Sequence, residues 1–586
     1  MQITRLFDVP YYQLEHYPKE KCLNIKTGET WKSYSTEEVI DEVNRLSAGL
    51  IKKGIKTGDK VALVSLNRPE WIFADLAIQQ IGAINVPLYP NITIKDYNYT
   101  LEHSESVMAF AGSKELYEKL QEASKDISGF KDIYTFDKVE NLAHWTELQS
   151  DYESEKEEIE KRKAAVKHED LATIIYTSGT TGFPKGVMLT HKNIVSNSEG
   201  VVERFAGVNE TYKTLSFLPL CHIFERTASY THMRMGVEVY FTAIDTIGDA
   251  MKEVHPHYFA TVPRLLEKVY DKIVKKGYEL KGVKKRLFFW ALRLGEIYDP
   301  NENKGWWYTK QLGLANKLIF SKWREALGGN IEFIVSGAAA LQPRLARVFW
   351  AAQIPILEAY GLTETSPGIS FSKLDPGGYR LGCVGPLMKD VEVRIAEDGE
   401  IEAAGPGIMQ GYYKKPDETA AVLQDGWFKT GDIGELQDGF LKITDRKKEI
   451  FKTSGGKYII PQQMENKFKE SMYIENIMVV GEGQKHPSAL IVPDFESVAE
   501  WCKLHHTECK TREDILKSAA VKEKFDREVE HYNENFSQYE RVKKYALLPE
   551  EWSVEGGELT AKMSLKRREI LAKYASIIKD FYKEEE

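Results

Sequence analysis

The sequence lacks any long apolar run. No stretch of about 18 consecutive apolar residues occurs in its 586 residues. The first residues, MQITRLFDVPYYQLEHYPKEKC, contain no apolar core of the kind that a secretory signal needs. The sequence therefore predicts no transmembrane helix, and we expect a cytoplasmic protein.

Cysteine is scarce and present in an odd number, five in the whole chain, so we expect reduced thiols and no disulfide framework. One local group, Cys502, His505, His506 and Cys509, places four soft metal ligands at the spacing of one helix face. Four ligands from one short helix do not easily close a tetrahedron. An ordinary amphipathic helix is therefore favoured over a metal site.

An excess of basic residues is also missing. The 79 Lys and Arg stand against 88 Asp and Glu, a net charge of -9, which argues against a surface built to bind nucleic acid. Any bound anion must be held locally. With 42% hydrophobic and 28% charged residues the chain is globular, and its length indicates two or more domains.

Hydrophobic patterning in the first part of the chain alternates between strand and helix. Ser35 and Glu38 have the spacing of a capping box. The pattern predicts a helix over 35–54, a strand over 61–65, a helix over 69–81, a strand over 84–86 ended by Pro87, a solvated charged helix or linker over 151–170, and a buried strand over 171–176. This order indicates an α/β fold with a parallel sheet covered by helices.

Residues 264–324 differ in composition from the rest of the chain. They hold fifteen Lys and Arg against six Asp and Glu, a net charge of +9, and aromatic groups lie beside the basic ones over 287–292 and 306–308. Such a combination is typical of helices that lie on an anionic bilayer. The alternative is a helical insertion whose aromatic residues pack inward and whose lysines are solvated.

The segment 176–186, YTSGTTGFPKG, follows the predicted buried strand and is suited to hold a polyphosphate. Glycine lets backbone N–H groups approach phosphate oxygens, hydroxyl groups add donors, and Lys185 supplies a mobile positive charge. The other candidate binding residues are Thr177, Ser178, Gly179, Thr180, Thr181 and Gly182. Phe183 and Pro184 separate Gly182 from Lys185, which disfavours a Walker A loop.

Four further motifs follow in order: SGAAAL at 336–341, YGLTET at 360–365, GWFKTGD at 426–432, and Asp445-Arg446 with GGK at 455–457. Together they resemble the acyl-adenylate-forming superfamily, which includes acyl-CoA synthetases, luciferases and peptide-synthetase adenylation domains. The resemblance covers nearly the whole chain. It implies a large N-terminal domain of helix-covered sheets, 1–445, and a small mobile α+β C-terminal domain, 446–586, with a hinge near Lys448.

The resemblance also implies roles for individual residues. Gly337, Ala338 and Ala339 would line an adenine pocket on which Tyr360, followed by Gly361, stacks. Thr363 would contact the α-phosphate, and Glu364 would hold Mg²⁺ as a hard oxygen ligand, with Thr177 as a second candidate. The remaining implied nucleotide-binding residues are Asp432 and Arg446 at the ribose hydroxyls and the loop residues Gly455, Gly456 and Lys457.

Two segments, LPLCHIFER at 218–226 and TVPRLLE at 261–267, resemble the long-chain fatty acyl-CoA synthetase branch. This implies an enzyme that uses ATP, Mg²⁺ and coenzyme A to convert a long-chain fatty acid to acyl-AMP and then to acyl-CoA. His222 is interpreted as a pocket residue near the substrate carboxylate. Peripheral contact with the inner face of an anionic membrane is one of the two interpretations of residues 264–324, and nucleic-acid binding is not expected. The oligomeric state stays open between monomer and homodimer.

One departure concerns the C-terminus. Long-chain members end in a segment whose first lysine supports adenylation, and here LTAKMSLKR at 559–567 puts Ser564 at that position. Lys562 would lie on the same face if the segment is extended, and it is the first candidate substitute, followed by Lys566. The alternatives are an adenylating enzyme that loads an acyl carrier protein or an aryl acid, and a non-catalytic fatty-acid-binding protein on the same fold.

Overall fold

A computed structural model describes residues 1–177, 184–205, 207–509, 511–560 and 563–583. The chain forms two compact units. The large unit comprises Met1–Arg394, Glu402–Thr430 and Leu436–Lys442, and the small unit comprises Ile395–Ile401, Gly431–Glu435 and Ile443–Glu586. Two short segments before residue 443 thus group with the C-terminal part of the chain.

The strands alternate with helices along most of the described chain. They are β1 (Leu23–Thr27), β2 (Thr30–Tyr34), β3 (Lys60–Val64), β4 (Ile84–Leu88), β5 (Ser106–Ala111), β6 (Asp132–Thr135), β7 (Leu171–Thr177), β8 (Lys185–Thr190), β9 (Lys213–Ser216), β10 (Glu238–Phe241), β11 (Tyr258–Thr261), β12 (Phe333–Ser336), β13 (Ile356–Gly361), β14 (Gly368–Phe371), β15 (Glu392–Ile395), β16 (Glu400–Ala404), β17 (Gly411–Tyr412), β18 (Leu423–Gln424), β19 (Trp427–Gln437), β20 (Phe440–Arg446), β21 (Phe451–Lys452), β22 (Tyr458–Ile459), β23 (Ile474–Val480), β24 (Ser488–Pro493) and β25 (Lys544–Leu547).

The α-helices are α1 (Val9–His16), α2 (Thr36–Lys52), α3 (Pro69–Gln80), α4 (Ile94–Ser104), α5 (Lys114–Ser124), α6 (Trp145–Leu148), α7 (Lys156–Ala165), α8 (His191–Arg204), α9 (Ile223–Arg234), α10 (Ile247–Val254), α11 (Pro263–Glu279), α12 (Gly282–Glu296), α13 (Gly305–Ala315), α14 (Ser321–Ala326), α15 (Pro343–Ala351), α16 (Pro416–Val422), α17 (Pro461–Phe468), α18 (Phe495–Leu504), α19 (Arg512–Lys517), α20 (Ala519–Asn533), α21 (Arg567–Lys573) and α22 (Ala575–Asp580). Short 3-10 turns occur at Leu6–Asp8 and Thr363–Thr365, and a π-helical segment at Asn316–Phe320 joins α13 to α14.

Two mainly parallel sheets build the large unit. One has the order β14-β13-β12-β11-β9-β10-β1-β2 and the other the order β17-β8-β7-β4-β3-β5-β6. In each sheet the antiparallel pairs lie at an end of the order, at β13·β14 and β1·β2 in the first and at β7·β8 and β8·β17 in the second. This architecture confirms the predicted α/β fold with helix-covered sheets.

The elements predicted near the N-terminus are confirmed with small shifts at their ends. Ser35 caps α2, and its side chain accepts from the backbone N–H of Glu38 while the Glu38 carboxylate accepts from the Ser35 N–H, the reciprocal pattern of a capping box.

The predicted end of the second strand at Pro87 is wrong, because β4 continues to Leu88 with Pro87 opposite Leu63 of β3. β7 pairs with β4 at Asn85, two residues before Pro87. Pro87 therefore lies beyond the paired stretch, and its missing N–H breaks no hydrogen bond to β7.

The basic segment 264–324 folds into α11 to α14 with both inward and outward aromatic side chains. Phe288 and Leu292 of α12 are buried in a cluster that includes Tyr270 and Trp323. Trp306 and Trp307 of α13 are 66% and 63% exposed. Tyr308 of the same helix packs against the cluster, so the inward-packing alternative holds for part of α13 as well. No helix within the described residues is long and apolar enough to cross a membrane.

The small unit has its own apolar core around the sheet β23-β24-β25 and the helices α17, α18 and α20. The helix predicted to carry Cys502, His505, His506 and Cys509 ends too early for that role, since α18 stops at Leu504. His505 stacks on Trp501 with ring centroids 4.5 Å apart. Within the described ranges no group of three or more His, Cys, Asp or Glu side chains is arranged to hold a metal ion.

Candidate functional site

The hairpin of β7 and β8 places the two described ends of the predicted phosphate loop side by side. Thr177, the last residue of β7, is directly opposite Lys185, the first residue of β8. β7 is buried from Ala172 to Tyr176, which fixes the strand that leads into the loop. The candidate residues Ser178, Gly179, Thr180, Thr181 and Gly182 lie outside the described residues.

Lys185 contacts a segment that follows β17. Its Nζ lies 2.5 Å from Oε2 of Glu418 and 4.8 Å from the centre of the Tyr412 ring. β17 pairs antiparallel with β8, with Tyr412 opposite Val187, so the backbone ladder itself brings Tyr412 beside the lysine. Neither Tyr412 nor Glu418 was predicted from the sequence.

Glu364 lies in the 3-10 turn after β13 and is held by two hydrogen bonds. The Tyr412 hydroxyl donates to Glu364 Oε1 at 3.0 Å, and the Met409 N–H donates to the Glu364 carbonyl at 2.9 Å. Burial, together with the Glu364 carboxylate, raises the pKa of Tyr412, so its hydroxyl stays protonated and can donate. Thr363 beside it is buried.

Lys185, Glu364, Tyr412 and Glu418 thus form one group, here called the cation–carboxylate cluster. No described residue donates a hydrogen bond to Glu364 Oε2. Mg²⁺ in proteins is usually held by one or two carboxylates together with substrate phosphate oxygens. The Glu364 carboxylate and the Lys185 ammonium group, both in contact with Tyr412, therefore fit a magnesium–polyphosphate ligand, and the donor set of the chain alone does not fit a closed metal cage.

The predicted adenine motif follows the carboxyl end of β12. Gly337 is buried, and a Cβ there would lie 3.3 Å from Cζ of Phe224 and 3.4 Å from the carbonyl oxygen of Ala359. Ala338 has a φ of +67° and, like Ala339, is exposed. The small residues thus occupy a tight turn with open space on its outer side, which is compatible with a flat ligand.

Tyr360 and Gly361 end the neighbouring strand β13 and are half-buried. A Cβ on Gly361 would lie only 1.7 Å from the carbonyl oxygen of Pro367, so no larger residue fits there without moving the backbone. Because β12 and β13 are parallel neighbours, Tyr360 and the Gly337 turn lie at the same edge of the sheet.

His222 precedes α9 and acts as its N-cap. Its Nδ1 accepts a hydrogen bond from the Phe224 N–H at 3.3 Å. A neutral imidazole that accepts at Nδ1 carries its proton at Nε2. The residue is half-buried.

A buried ion pair anchors α9 and was not predicted from the sequence. Arg226 and Asp75 are both fully buried, with Nη2 and Oδ1 2.5 Å apart. Arg226 Nη1 also donates to the hydroxyl of Thr173 in β7 at 2.8 Å. The pair therefore ties the helix that starts at His222 to the strand that leads to the phosphate loop.

Two buried carboxyl groups also lie near this region. Burial raises the pKa of Glu225 in α9 to about 8 and that of Glu358 in β13 to about 8. The Tyr379 hydroxyl donates to Glu358 Oε1 at 3.2 Å. Both groups are therefore mostly protonated at neutral pH.

In the small unit, the two predicted ribose-binding residues are neighbours. Arg446 Nε lies 3.8 Å from Asp432 Oδ1, with Asp432 buried and Arg446 exposed. Lys447 is held at 2.5 Å from Asp398 and 2.7 Å from Glu400. The chain is therefore anchored immediately before Lys448.

Gly455, Gly456 and Lys457 lie in the exposed connection between β21 and β22. Gly456 has a φ of +76°, which a turn glycine supplies without strain. The Thr453 N–H donates to the Lys457 carbonyl at 2.9 Å and closes the turn.

The first lysine candidate near the C-terminus, Lys562, lies outside the described residues. Lys566 is half-exposed, and its N–H donates to the Glu558 carbonyl at 2.7 Å. The Thr560 N–H donates to the Ser564 carbonyl at 2.8 Å, and Leu559 bridges Leu565 in antiparallel fashion. The described residues 559–560 and 564–566 thus run antiparallel to each other, and the role of Lys562 stays a prediction.

Two family models match the chain. The AMP-binding enzyme model matches residues 11–413, and the AMP-binding enzyme C-terminal domain model matches residues 448–586.

Among curated proteins, the long-chain-fatty-acid–CoA ligase FadD15 of Mycobacterium bovis is 32% identical, covering 95% of this chain and 93% of the relative. Long chain acyl-CoA synthetase 3 of Arabidopsis thaliana is 32% identical over 96% of this chain and 89% of the relative. These relatives confirm the predicted resemblance to the long-chain branch.

Among solved structures, the O-succinylbenzoate coenzyme A synthetase MenE of Bacillus subtilis, in complex with ATP and magnesium ion, superposes with a TM-score of 0.67. Its sequence is 20% identical, and the match covers 96% of this chain and 98% of that one. This likeness confirms the predicted adenylate-forming fold. Since the first family model spans more than half of the residues and the relatives align along nearly their full length, the chain belongs to the AMP-binding enzyme family.

Proposed function

We propose that this chain is an ATP-dependent ligase that activates a long-chain fatty acid and transfers it to coenzyme A. The fatty carboxylate attacks the α-phosphorus of ATP and pyrophosphate leaves. The thiol of coenzyme A then attacks the acyl carbon of the acyl-AMP, and AMP leaves as the thioester forms. The cation–carboxylate cluster carries the proposal, because the Lys185 ammonium group at the end of the phosphate-loop hairpin and the Glu364 carboxylate contact the same tyrosine, Tyr412. The naming of the relatives as long-chain enzymes supports the choice of acid.

The chemical difficulty is to bring two anions together. A carboxylate and a triphosphate repel each other, so an enzyme must supply positioning and charge neutralisation. Mg²⁺ supplies charge neutralisation at the phosphate oxygens when it is bound. Glu364 would hold the ion, with its carboxylate oriented by the hydrogen bond from the Tyr412 hydroxyl, and Thr177 is a further candidate ligand.

Each remaining site residue has a defined part in the proposal. Lys185 neutralises the polyphosphate, Thr363 contacts the α-phosphate, and His222 lies in the pocket near the substrate carboxylate. The nucleotide is held by Ser178, Gly179, Thr180, Thr181 and Gly182 at its phosphates, by Gly337, Ala338, Ala339, Tyr360 and Gly361 at adenine, by Asp432 and Arg446 at the ribose, and by the loop of Gly455, Gly456 and Lys457.

Residues 446–586 act as a mobile domain with a hinge near Lys448. The family match that starts at residue 448 supports a flexible point there. Proline at position 448 would restrict φ and remove a donor. Lys448→Pro is expected to retain acyl-AMP formation and to lose thioester formation, measured by separate assays of the two steps.

The segment 264–324 provides peripheral contact with an anionic membrane at its inner face. Exposed aromatic side chains of α13 and the basic groove of α11 and α12 support this. The groove has a volume of about 750 Å³ and is lined by Tyr278, Val283, Lys285, Arg286, Leu287, Phe289, Trp290 and Arg293. Aromatic and basic side chains on one surface are the combination that binds an anionic interface.

Vesicle co-sedimentation tests the membrane proposal. The chain is expected to bind vesicles that contain phosphatidylserine and not vesicles of phosphatidylcholine alone. The double variant Trp306→Ala with Trp307→Ala should lose this binding, whereas Lys161→Gln on the exposed helix α7 should keep it. Equal binding by all three proteins would contradict the assignment.

Pyrophosphate exchange tests the proposed reaction. The chain should catalyse exchange of labelled pyrophosphate into ATP that depends on palmitate, and addition of coenzyme A should convert palmitate to its thioester. Exchange without use of coenzyme A would indicate a carrier-protein ligase. Palmitate binding without any exchange would indicate a non-catalytic fatty-acid-binding protein.

A further inference from the structure

The cation of the cation–carboxylate cluster already has a counter-ion. Lys185 Nζ lies 2.5 Å from Glu418 Oε2, a contact between residues far apart in sequence. The ion pair lowers the pKa of Glu418, so the carboxylate is charged at neutral pH. A triphosphate that needs Lys185 must therefore compete with Glu418 for it.

The segment that carries Glu418 is folded onto itself and is not a loose loop. The Thr419 hydroxyl donates to the Lys415 carbonyl at 2.9 Å, and the Tyr412 N–H donates to the same hydroxyl at 2.9 Å. A Cβ on Gly411 would lie 2.7 Å from Cγ2 of Thr419. Glu418 is therefore held next to β8 by the local backbone.

Glu418 also has a second cation within reach. Lys415 Nζ lies 2.8 Å from Glu418 Oε1, on the other carboxylate oxygen from the one that Lys185 approaches. When Lys185 moves to a phosphate, Lys415 stays on the carboxylate and keeps it paired. The movement of Lys185 from Glu418 to a phosphate thus leaves no charge without a partner, which keeps the free-energy cost of that movement small.

We infer that Glu418 is a positioning residue that holds Lys185 in a resting position and releases it when the polyphosphate binds. This inference rests on the proposed nucleotide site. The apparent affinity for a triphosphate is reduced by the fraction of molecules in which Lys185 is already paired. Lys415 weakens that hold, because it shares the carboxylate.

Direct binding tests the inference without any turnover. Binding of α,β-methylene-ATP to the full chain with MgCl₂ is measured by titration calorimetry, with AMP as a second ligand. Glu418→Gln removes the charge and keeps the shape, and it should bind the triphosphate analogue about two- to fivefold more tightly, the range of a partly exposed ion pair. Its affinity for AMP, which has no polyphosphate, should not change.

Three matched variants separate the ion pair from the general effect of removing a charge. Asp417→Asn removes the neighbouring exposed carboxylate and should leave the affinity unchanged. In a Lys185→Ala background, Glu418→Gln should have no further effect on the affinity. Lys415→Gln should weaken binding of the analogue, whereas Lys414→Gln, which removes a lysine paired with Glu105, should not.

The outcomes are distinct. A gain in affinity that is confined to Glu418→Gln and lost in the Lys185→Ala background supports the inference. Unchanged or weaker binding by Glu418→Gln, or the same gain without Lys185, overturns it while leaving the nucleotide site intact. A folded wild-type chain that binds neither α,β-methylene-ATP nor AMP would overturn the nucleotide site and this inference together.

Discussion

The buried pair of Arg226 and Asp75 predicts a large loss of stability on substitution. Neither side chain is exposed, and Asp75 accepts from several donors at once: Arg226 Nη2 at 2.5 Å, Arg226 Nε at 3.2 Å, Gln79 Nε2 at 2.8 Å, Asn85 Nδ2 at 2.5 Å and the hydroxyl of Tyr230. Breaking a buried pair by removing one partner typically costs about 3–5 kcal/mol. The structure also predicts which of the two substitutions lowers the free energy of unfolding more.

Arg226→Met leaves the Asp75 carboxylate with three neutral donors, so the expected loss of unfolding free energy is about 3 kcal/mol. Asp75→Leu leaves a buried guanidinium uncompensated and deprives Gln79, Asn85 and Tyr230 of their acceptor. Its expected cost is therefore about 5 kcal/mol. Since Arg226 joins α9 to β7, both changes destabilise the large unit.

A matched control lies on the same helix. Arg234 pairs with Glu199 at 3.3 Å, and both side chains are partly exposed. Arg234→Met should cost no more than about 1 kcal/mol. Urea unfolding followed by circular dichroism measures all three variants. The reasoning is refuted if Arg226→Met costs no more than Arg234→Met, or if Asp75→Leu is the milder of the two core changes.

Three further predictions follow from the site. Tyr412→Phe removes the donor to Glu364 and keeps the ring beside Lys185. It should lower kcat/KM for ATP about tenfold in pyrophosphate exchange, the effect of one hydrogen bond to a charged group. Tyr413→Phe, which loses a similar bond to Glu105, should change it little, and equal losses would count against the assignment. Because burial raises the pKa of Glu358 to about 8, its contribution to stability is complete below about pH 4.5 and lost as pH rises through 8, by at most ~1.4 kcal/mol per pH unit. Melting temperatures between pH 5 and 9 should fall less steeply for Glu358→Gln than for wild type, and parallel curves would contradict the shift. Lys562→Ala should reduce acyl-AMP formation by about 100-fold, as loss of one transition-state donor does, and Lys566→Ala should not; the reverse result would assign the role to Lys566.

Much of the fold was predictable from local patterns. The capping box at Ser35 and Glu38 and the buried strand that ends at Thr177 depend on neighbouring residues alone. The ordered motifs were sufficient to predict the family. Local patterns failed at Pro87, where the pairing of the neighbouring strand decides whether a proline can continue the strand.

The contacts that shape the site were not predictable in the same way. Glu418 meets Lys185, and Asp75 meets Arg226, only because the order of strands and helices brings distant segments together. The segment GYYKKPDET at 411–419 did offer a signal, since a glycine, two aromatic residues and a proline mark a tight turn with charged residues. The contact of this segment with Lys185 of β8 depends on the antiparallel pairing of β17 with β8, which the sequence pattern does not encode.

The most direct test of the proposed function is thioester formation by the wild-type chain. ATP, Mg²⁺ and coenzyme A are supplied with a series of acids from acetate to oleate, and acyl-CoA, acyl-AMP and AMP are quantified together. The account predicts acyl-CoA and AMP in equal amounts, with long-chain acids turned over in preference to acetate. Acyl-AMP without acyl-CoA, or no product from any long-chain acid, would contradict it.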